Sequence, residues 1–440
     1  MILNWVYFSV VLSLVALFAG ELVGENRYNA SPDEAKDKIM SFIRGGAPPL
    51  DELDFEAIEP LDITANDRFS KDPNIMALAQ RVPPRDEVIP DVVVIVEQDP
   101  ANLAAENENV PVPAIVELSW KERMLSYFSS KECRESPLDH QPPSWLAQMI
   151  VLIGAMKGGT KAIHTFLMEH PRFVSRCNDR AVTKELFFFN DITDADTMMY
   201  IDKGDLQTKY SDVIQTKCPT ATAELANDVN KMYLDDTPGY IQDSHWIPQL
   251  LNCVMPKTKI LAVLRNPAER AFSHYNFYLE RQWCTRKSFD EWVDINIREL
   301  THAGVLTARN PYEELLAWER YNTDPRYRRD RKCKTFVTRG LYAIQLLHYV
   351  TALEAAGRPR SDLHVIHSED LQGDKRQQEY DTILSFLNLP PQTLQHGGTV
   401  HKTVYESSMD PVTRVKLEKF FRPFNLRLYK LLDWDPVWGA

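Results

Sequence analysis

Lys157-Gly158-Gly159-Thr160-Lys161 is the stretch whose residue types most directly suggest chemistry. Two lysines flank a glycine pair, and a third glycine, Gly154, precedes them. Glycines let backbone N–H groups approach an anion closely, and a helix starting there adds its positive end. The pattern therefore points to phosphate binding. It is not a Walker A loop. The span from Gly154 has the right length for GxxxxGK[ST], but Thr160 stands where that loop needs its lysine. The lysine comes earlier, at Lys157. A lysine ahead of the glycine pair suits a phosphate that departs, rather than a γ-phosphate held with Mg²⁺. An ordinary strand-turn-helix with glycines for turning fits the same residues.

The elements that must position this loop are legible around it. Residues 149–153 form a short apolar run, which reads as a buried strand. Ala162, Ile163, Phe166 and Leu167 then recur at helical spacing, and Pro171 closes the segment. Residues 259–264 form a second buried strand, stopped by Arg265-Asn266-Pro267 and followed by a helix over 269–280. Residues 231–235 and 363–367 read as further strands, and 377–387 and 411–432 as amphipathic helices. A strand ending in Lys184-Glu185 would place both side chains at the sheet edge where such folds bind ligands. Strands alternating with helices imply an α/β fold: a P-loop-NTPase-like parallel sheet with helices on both faces.

Residues 149–440 resemble the Golgi carbohydrate sulfotransferases, in particular the heparan sulfate branch. The loop Lys157-Gly158-Gly159-Thr160 with Lys161 looks like that family's 5′-phosphosulfate loop. Residues 264–275, Leu-Arg-Asn-Pro-Ala-Glu-Arg-Ala-Phe-Ser-His-Tyr, are similar to its 3′-phosphate loop. The resemblance implies a donor, 3′-phosphoadenosine-5′-phosphosulfate, and a glycan or proteoglycan acceptor. It implies that Lys157 stabilises the departing phosphate while Gly158, Gly159, Thr160 and Lys161 bind it. Arg265 and Ser273 would hold the 3′-phosphate. A guanidinium matches phosphate oxygens bidentately, and helix geometry carries the hydroxyl to the same anion. A sulfonate carries less charge than a phosphoryl group, so no metal is expected.

Residues 184–190 are similar to the family's KExHFFD segment, which assigns the general base to Glu185 with Lys184 beside it. Phe187 stands where histidine is usual, and Asn190 where aspartate is usual. Residues 234–240 look like its EKTPxY turn, with Asp236 in place of the lysine. Asp235 and Asp236 are then open to two readings: contacts to sugar hydroxyls, or caps of the turn. Arg339-Gly340-Leu341-Tyr342 resembles a segment that opens a helix near the nucleotide, and Lys402 is a loosely matched donor contact. The acceptor group implied is a hydroxyl, with an amine as the less favoured choice.

Charge and composition divide the chain. Residues 1–150 carry 12 Lys+Arg against 25 Asp+Glu, while residues 151–440 carry 38 against 37. An acidic, proline-containing stretch over 21–144 reads as a stem, with a helix at 116–128 leading into a catalytic domain over 145–440. Residues 2–20 are nearly all apolar, just long enough to cross a bilayer. No basic segment precedes them and no small-residue cleavage site follows, so 1–20 reads as an uncleaved signal-anchor. That topology, usual in the family resembled, puts the body in the Golgi lumen as a single-pass type II protein. No nucleic-acid partner is expected. Asn29 opens a sequon weakened by Pro32.

Six cysteines lack metal-ligand spacing, and in an oxidising lumen some should pair. Cys284 and Cys333 are the favoured pair, because they bracket a polar, basic insertion that includes residues 326–332, with Lys334 just beyond it. Two other functions fit parts of the pattern. One is a P-loop kinase-like phosphotransferase, against which Thr160 stands. The other is a non-catalytic lumenal glycan-binding protein that kept the fold.

Overall fold

The computed structural model describes residues 118–130, 143–174, 185–192, 203–328, 331–395 and 408–438. They all fall within the unit that runs from Ala114 to Ala440. The expected anchor, most of the stem, the sequon, Lys184 and Lys402 lie outside the described residues.

Four strands form one parallel sheet: β1 (Met149–Leu152), β2 (Tyr233–Asp235), β3 (Lys259–Leu264) and β4 (Leu363–His367). Their spatial order is β2-β1-β3-β4. Val151 pairs with Asp235 on one side and with Ile260 on the other, which fixes the register of the three strands that matter most. The helices are α1 (Trp120–Ser129), α2 (Thr160–Met168), α3 (Phe188–Asp191), α4 (Lys203–Lys217), α5 (Pro219–Asn227), α6 (Ile247–Val254) and α7 (Pro267–Leu279). They continue with α8 (Phe289–His302), α9 (Pro311–Thr323), α10 (Pro325–Arg328), α11 (Tyr342–Ala355), α12 (Lys375–Phe386) and α13 (Pro411–Leu432).

The apolar run of β1 is continuous rather than alternating because both faces of the sheet are covered. Met149, Val151 and Ile153 join Ile260, Ala262 and Leu264 in a core closed by α6 and α11. Ile150 and Leu152 join Leu261 and Val263 on the opposite face, under Ile163, Phe166 and Leu167 of α2 and Tyr380 and Ile383 of α12. A third core, built from α7, α8, α9 and α13, buries Phe272, Trp292, Trp318 and Phe421 beside the sheet.

Helix α1 opens with a capping box between Ser119 and Glu122. Its Met124 and Phe128 pack with Leu315 of α9 and Ala352 of α11. The Tyr127 hydroxyl donates to the His245 carbonyl at 3.2 Å. Cys284 and Cys333 form a disulfide with Cα atoms 5.4 Å apart. Cys218 and Cys253 are disulfide-bonded too.

Candidate active site

The ladder between β1 and β3 runs on past both strands. Ala155 N–H donates to Val263 O at 2.8 Å, and Val263 N–H to Gly154 O at 2.7 Å. The chain then turns sharply, with Gly158 N–H donating to Ala155 O at 2.7 Å. A Cβ on Gly158 would lie 2.6 Å from Val263 O and 2.8 Å from Ala155 O, both backbone atoms, so no larger residue fits. Gly159 caps α2 with φ +116°, a conformation that glycine adopts at little cost. Between turn and helix, Lys157 itself sits at φ 65°. A non-glycine residue held there costs on the order of 1 kcal/mol or more and is concentrated at functional sites.

The Lys157 ammonium lies 4.5 Å from the centre of the Phe277 ring. Burial lowers its pKa. Glu280 opposes the shift, and the charges of Arg265, Arg281 and Lys161 add to it. Arg265 ends β3, the neighbour of β1, and its carbonyl accepts from the Tyr342 hydroxyl at 3.0 Å. Asn266 then caps α7 by accepting from Ala268 N and Glu269 N. The Arg265 guanidinium is 32% exposed, and among the described residues its one ion-pair partner is a distant carboxylate, Glu269, at 3.8 Å. Glu269 is held more closely by Arg414. Ser273 lies two turns into α7 and is almost fully buried.

Beneath these groups lie two cations: Arg270, to which the motif reading gives no role, and Arg339, whose segment it sets near the nucleotide. Arg270 is fully buried. It donates to the Met156 carbonyl at 3.2 Å and to the Phe336 carbonyl, so it fixes the residue just ahead of Lys157. Burial, with Arg339 and Arg265 nearby, brings its pKa down to about 10, although Tyr342 opposes the shift. Arg339 donates to the Met156 thioether at 3.1 Å. His274 beside them is held far below the usual imidazole range, first by burial and then by Arg270, Arg339 and Lys157. A site with this much positive charge and few carboxylates favours an anionic ligand. The one signal for Arg270 in the sequence was its place one helical turn before Ser273.

The third strand, β2, brings a carboxylate to the same edge. Thr237, just past β2, accepts from Leu186 N at 3.1 Å and Phe187 N at 3.3 Å, which seats Glu185 there. Glu185 is half-buried. Lys217 donates to Leu186 O at 3.0 Å and holds the segment from the other side. Residues 185–187 are irregular and lead into α3, with Phe187 exposed at φ 55°. Asn190 donates to Asp243 at 2.7 Å, so it faces inward.

Of the two readings of Asp235 and Asp236, the one as contacts to sugar hydroxyls does not survive, because both carboxylates are buried and engaged within the protein. Asp235 is buried and accepts from the Tyr210, Thr237 and Tyr240 hydroxyls. Burial raises its pKa to about 6 against those hydrogen bonds. Asp236 lies 2.7 Å from His164 of α2, and both side chains are buried. The pair ties α2 to the turn that seats Glu185. Among the described residues, no group of three or more His, Cys, Asp or Glu could hold a metal ion.

Along the carboxyl ends of the strands, Lys157 therefore follows β1 and Arg265 follows β3, while Glu185, from the segment before α3, is seated against Thr237 just past β2. A parallel sheet with a glycine-bound helix start and cations at adjacent strand ends defines an anion-binding α/β protein of the nucleotide type. The Sulfotransferase domain model matches residues 147–419, and the chain belongs to the sulfotransferase family.

Among similar proteins, the bifunctional heparan sulfate N-deacetylase/N-sulfotransferase 2 of Bos taurus is 25% identical over 305 residues, covering 64% of this chain and 29% of its own. This chain thus spans under a third of that relative's length. The heparan sulfate glucosamine 3-O-sulfotransferase 5 of Mus musculus is 21% identical over 319 residues, covering 64% of this chain and 73% of its own. A solved sulfotransferase from Alicyclobacillus acidocaldarius is 22% identical with a TM-score of 0.41, over 66% of this chain and 96% of that one.

Proposed function

We propose that this protein transfers a sulfuryl group from 3′-phosphoadenosine-5′-phosphosulfate to a hydroxyl of a glycan. The observation that carries the proposal is the placement of Lys157 and Arg265 at the ends of adjacent strands β1 and β3, with the Glu185 segment held against the end of the next strand, β2, by Thr237. The residues fit such a donor. Close packing of Gly158 on the Val263 and Ala155 carbonyls and the left-handed backbone of Gly159 keep the loop free of side chains at both positions. Arg270 is buried with its Nε lacking a partner among the described residues.

In this reading Lys157, Gly158, Gly159, Thr160 and Lys161 bind the 5′-phosphate. Arg265 and Ser273 bind the 3′-phosphate, with Lys402 as a further contact. Glu185, positioned by Lys184, takes the proton of the attacking hydroxyl. The acceptor oxygen bonds to sulfur as the sulfur–phosphate oxygen bond breaks in line, and Lys157 neutralises the charge left on that oxygen.

The relatives named for heparan sulfate support a glycan acceptor. One further relative is named a membrane-associated sulfotransferase, in Dictyostelium discoideum. With the apolar residues 2–20, this supports an anchor over 1–20, a stem over 21–144 and a lumenal Golgi catalytic domain over 145–440.

The test is incubation of the protein with donor labelled in the sulfuryl group and a panel of glycans, with and without EDTA. Label should pass to a glycan at an equal rate in both. Absence of transfer to every glycan, or transfer only with added metal, contradicts the proposal.

A further inference from the structure

The loop that carries Arg265 is clamped at two backbone atoms. The Arg265 carbonyl accepts from the Tyr342 hydroxyl, and the following N–H, of Asn266, donates to Glu369 Oε1 at 3.1 Å. Glu369 lies just past β4, the strand next to β3. It is exposed, and among the described residues it pairs with no cation. Glu369 and Arg265 both act on the Tyr342 hydroxyl. Burial pushes its pKa up to about 12, the charges of Arg270 and Arg265 oppose the shift, and Glu369 adds to it. A carboxylate free to turn here would compete with a phosphate for the Arg265 guanidinium.

The segment after α13 holds that carboxylate still. Asp433 ends the helix in left-handed backbone, at φ 55°, and reverses the chain. The centre of the Trp434 ring then lies 3.6 Å from that of His367, the last residue of β4. Trp438 is buried, with its N–H donating to the Tyr429 hydroxyl at 2.7 Å and its ring centre 6.1 Å from that of Tyr342. Its indole Nε1–H donates at 3.1 Å to the same Glu369 oxygen that accepts from Asn266. Two neutral donors, one on the Arg265 loop and one on the segment after α13, thus fix the Glu369 carboxylate without neutralising Arg265.

We infer that Trp438 is a positioning residue for the donor's 3′-phosphate: it keeps Glu369 on the Asn266 N–H and away from the Arg265 guanidinium. The inference rests on the reading that Arg265 binds that phosphate, and adds what keeps the arginine available. Without the indole donor, Glu369 retains one hydrogen bond instead of two and turns part of the time to Arg265. An exposed ion pair is weak, so the competition costs a few-fold in affinity rather than hundreds. Adenosine 5′-phosphate lacks the 3′ group and does not call on Arg265.

The test is the calorimetric affinity of the full chain for 3′-phosphoadenosine 5′-phosphate and for adenosine 5′-phosphate. It compares wild type, Trp438→Phe, Glu369→Gln and the double variant. Trp438→Phe keeps an aromatic ring beside Tyr342 and removes the donor. It should bind 3′-phosphoadenosine 5′-phosphate about three- to fivefold more weakly and adenosine 5′-phosphate within about 1.5-fold, which also reports an intact fold. Glu369→Gln removes the competing charge. It should restore the lost affinity in the Trp438→Phe background, yet change wild type by less than about twofold. A merely structural role for Trp438 gives no such rescue. Unchanged affinity in Trp438→Phe, equal loss of both nucleotides, or the same gain from Glu369→Gln in both backgrounds overturns the inference. Trp438→Tyr makes the same comparison if the phenylalanine variant does not fold. A wild type that fails to distinguish the two nucleotides is a separate result, which contradicts the Arg265 reading itself and this inference with it.

Discussion

Lys157→Ala should lower kcat by roughly 10²–10³-fold, the usual loss when one donor to a developing oxyanion is removed. The structure gives three reasons for so large an effect. Lys157 is held at a strained backbone angle by a loop with no room to relax around Gly158. Arg270 fixes the Met156 carbonyl just before it. Burial and three neighbouring cations make its charge costly to keep, so an arriving anion gains more from it than from a surface lysine. Donor affinity should fall much less than kcat, because Arg265, Arg270 and the backbone still face the nucleotide. Single-turnover kinetics separate the two. Because its pKa is lowered, the alkaline limb of kcat/KM should fall below the ordinary lysine value of 10.5. Equal losses in kcat and nucleotide affinity would contradict a role exerted chiefly in the transition state.

Glu185→Gln has the second large expected effect. General-base removal typically costs about 10²–10⁴-fold in kcat. Glutamine keeps the shape and the backbone seat on Thr237 but cannot take a proton. Nucleotide binding should therefore be nearly intact, since Glu185 is seated beside Thr237 past β2 while the proposed phosphate contacts follow β1 and β3. Nucleotide binding that vanishes together with turnover would assign Glu185 to the donor instead. Equilibrium binding of 3′-phosphoadenosine 5′-phosphate to the variant decides between the two.

Much of the sheet was legible because its strands are continuous apolar runs stopped by clear breakers. Residues 259–264 ended by Arg265-Asn266-Pro267 are the plainest case, and β3 has those bounds. The cradle was legible from glycine placement, which the backbone contacts of Gly158 account for. Helices α8 and α9 were missed although each carries a local start signal: a Ser288–Glu291 capping box and an Asn310-Pro311 cap. They pack on other helices rather than on the sheet, so no strand-helix alternation drew attention to them.

Arg270 escaped because a buried guanidinium bonded to carbonyls reads in sequence as an ordinary helix-surface arginine. Asp235 and Asp236 looked like ligands for the opposite reason. Their partners, Tyr210, Tyr240 and His164, come from other elements, and only packing shows that both carboxylates are already engaged.

The central claim is that one bisphosphorylated nucleotide spans the ends of β1 and β3. The direct measurement is the affinity of wild type and Arg265→Ala for 3′-phosphoadenosine 5′-phosphate and for adenosine 5′-phosphate, which lacks the 3′ group. Wild type should bind the first at least tenfold more tightly, and Arg265→Ala should erase that preference while leaving adenosine 5′-phosphate binding within about twofold, since a bidentate arginine–phosphate contact is worth about 1.5–3 kcal/mol. A preference that persists in Arg265→Ala, or equal loss of both nucleotides, would contradict the account.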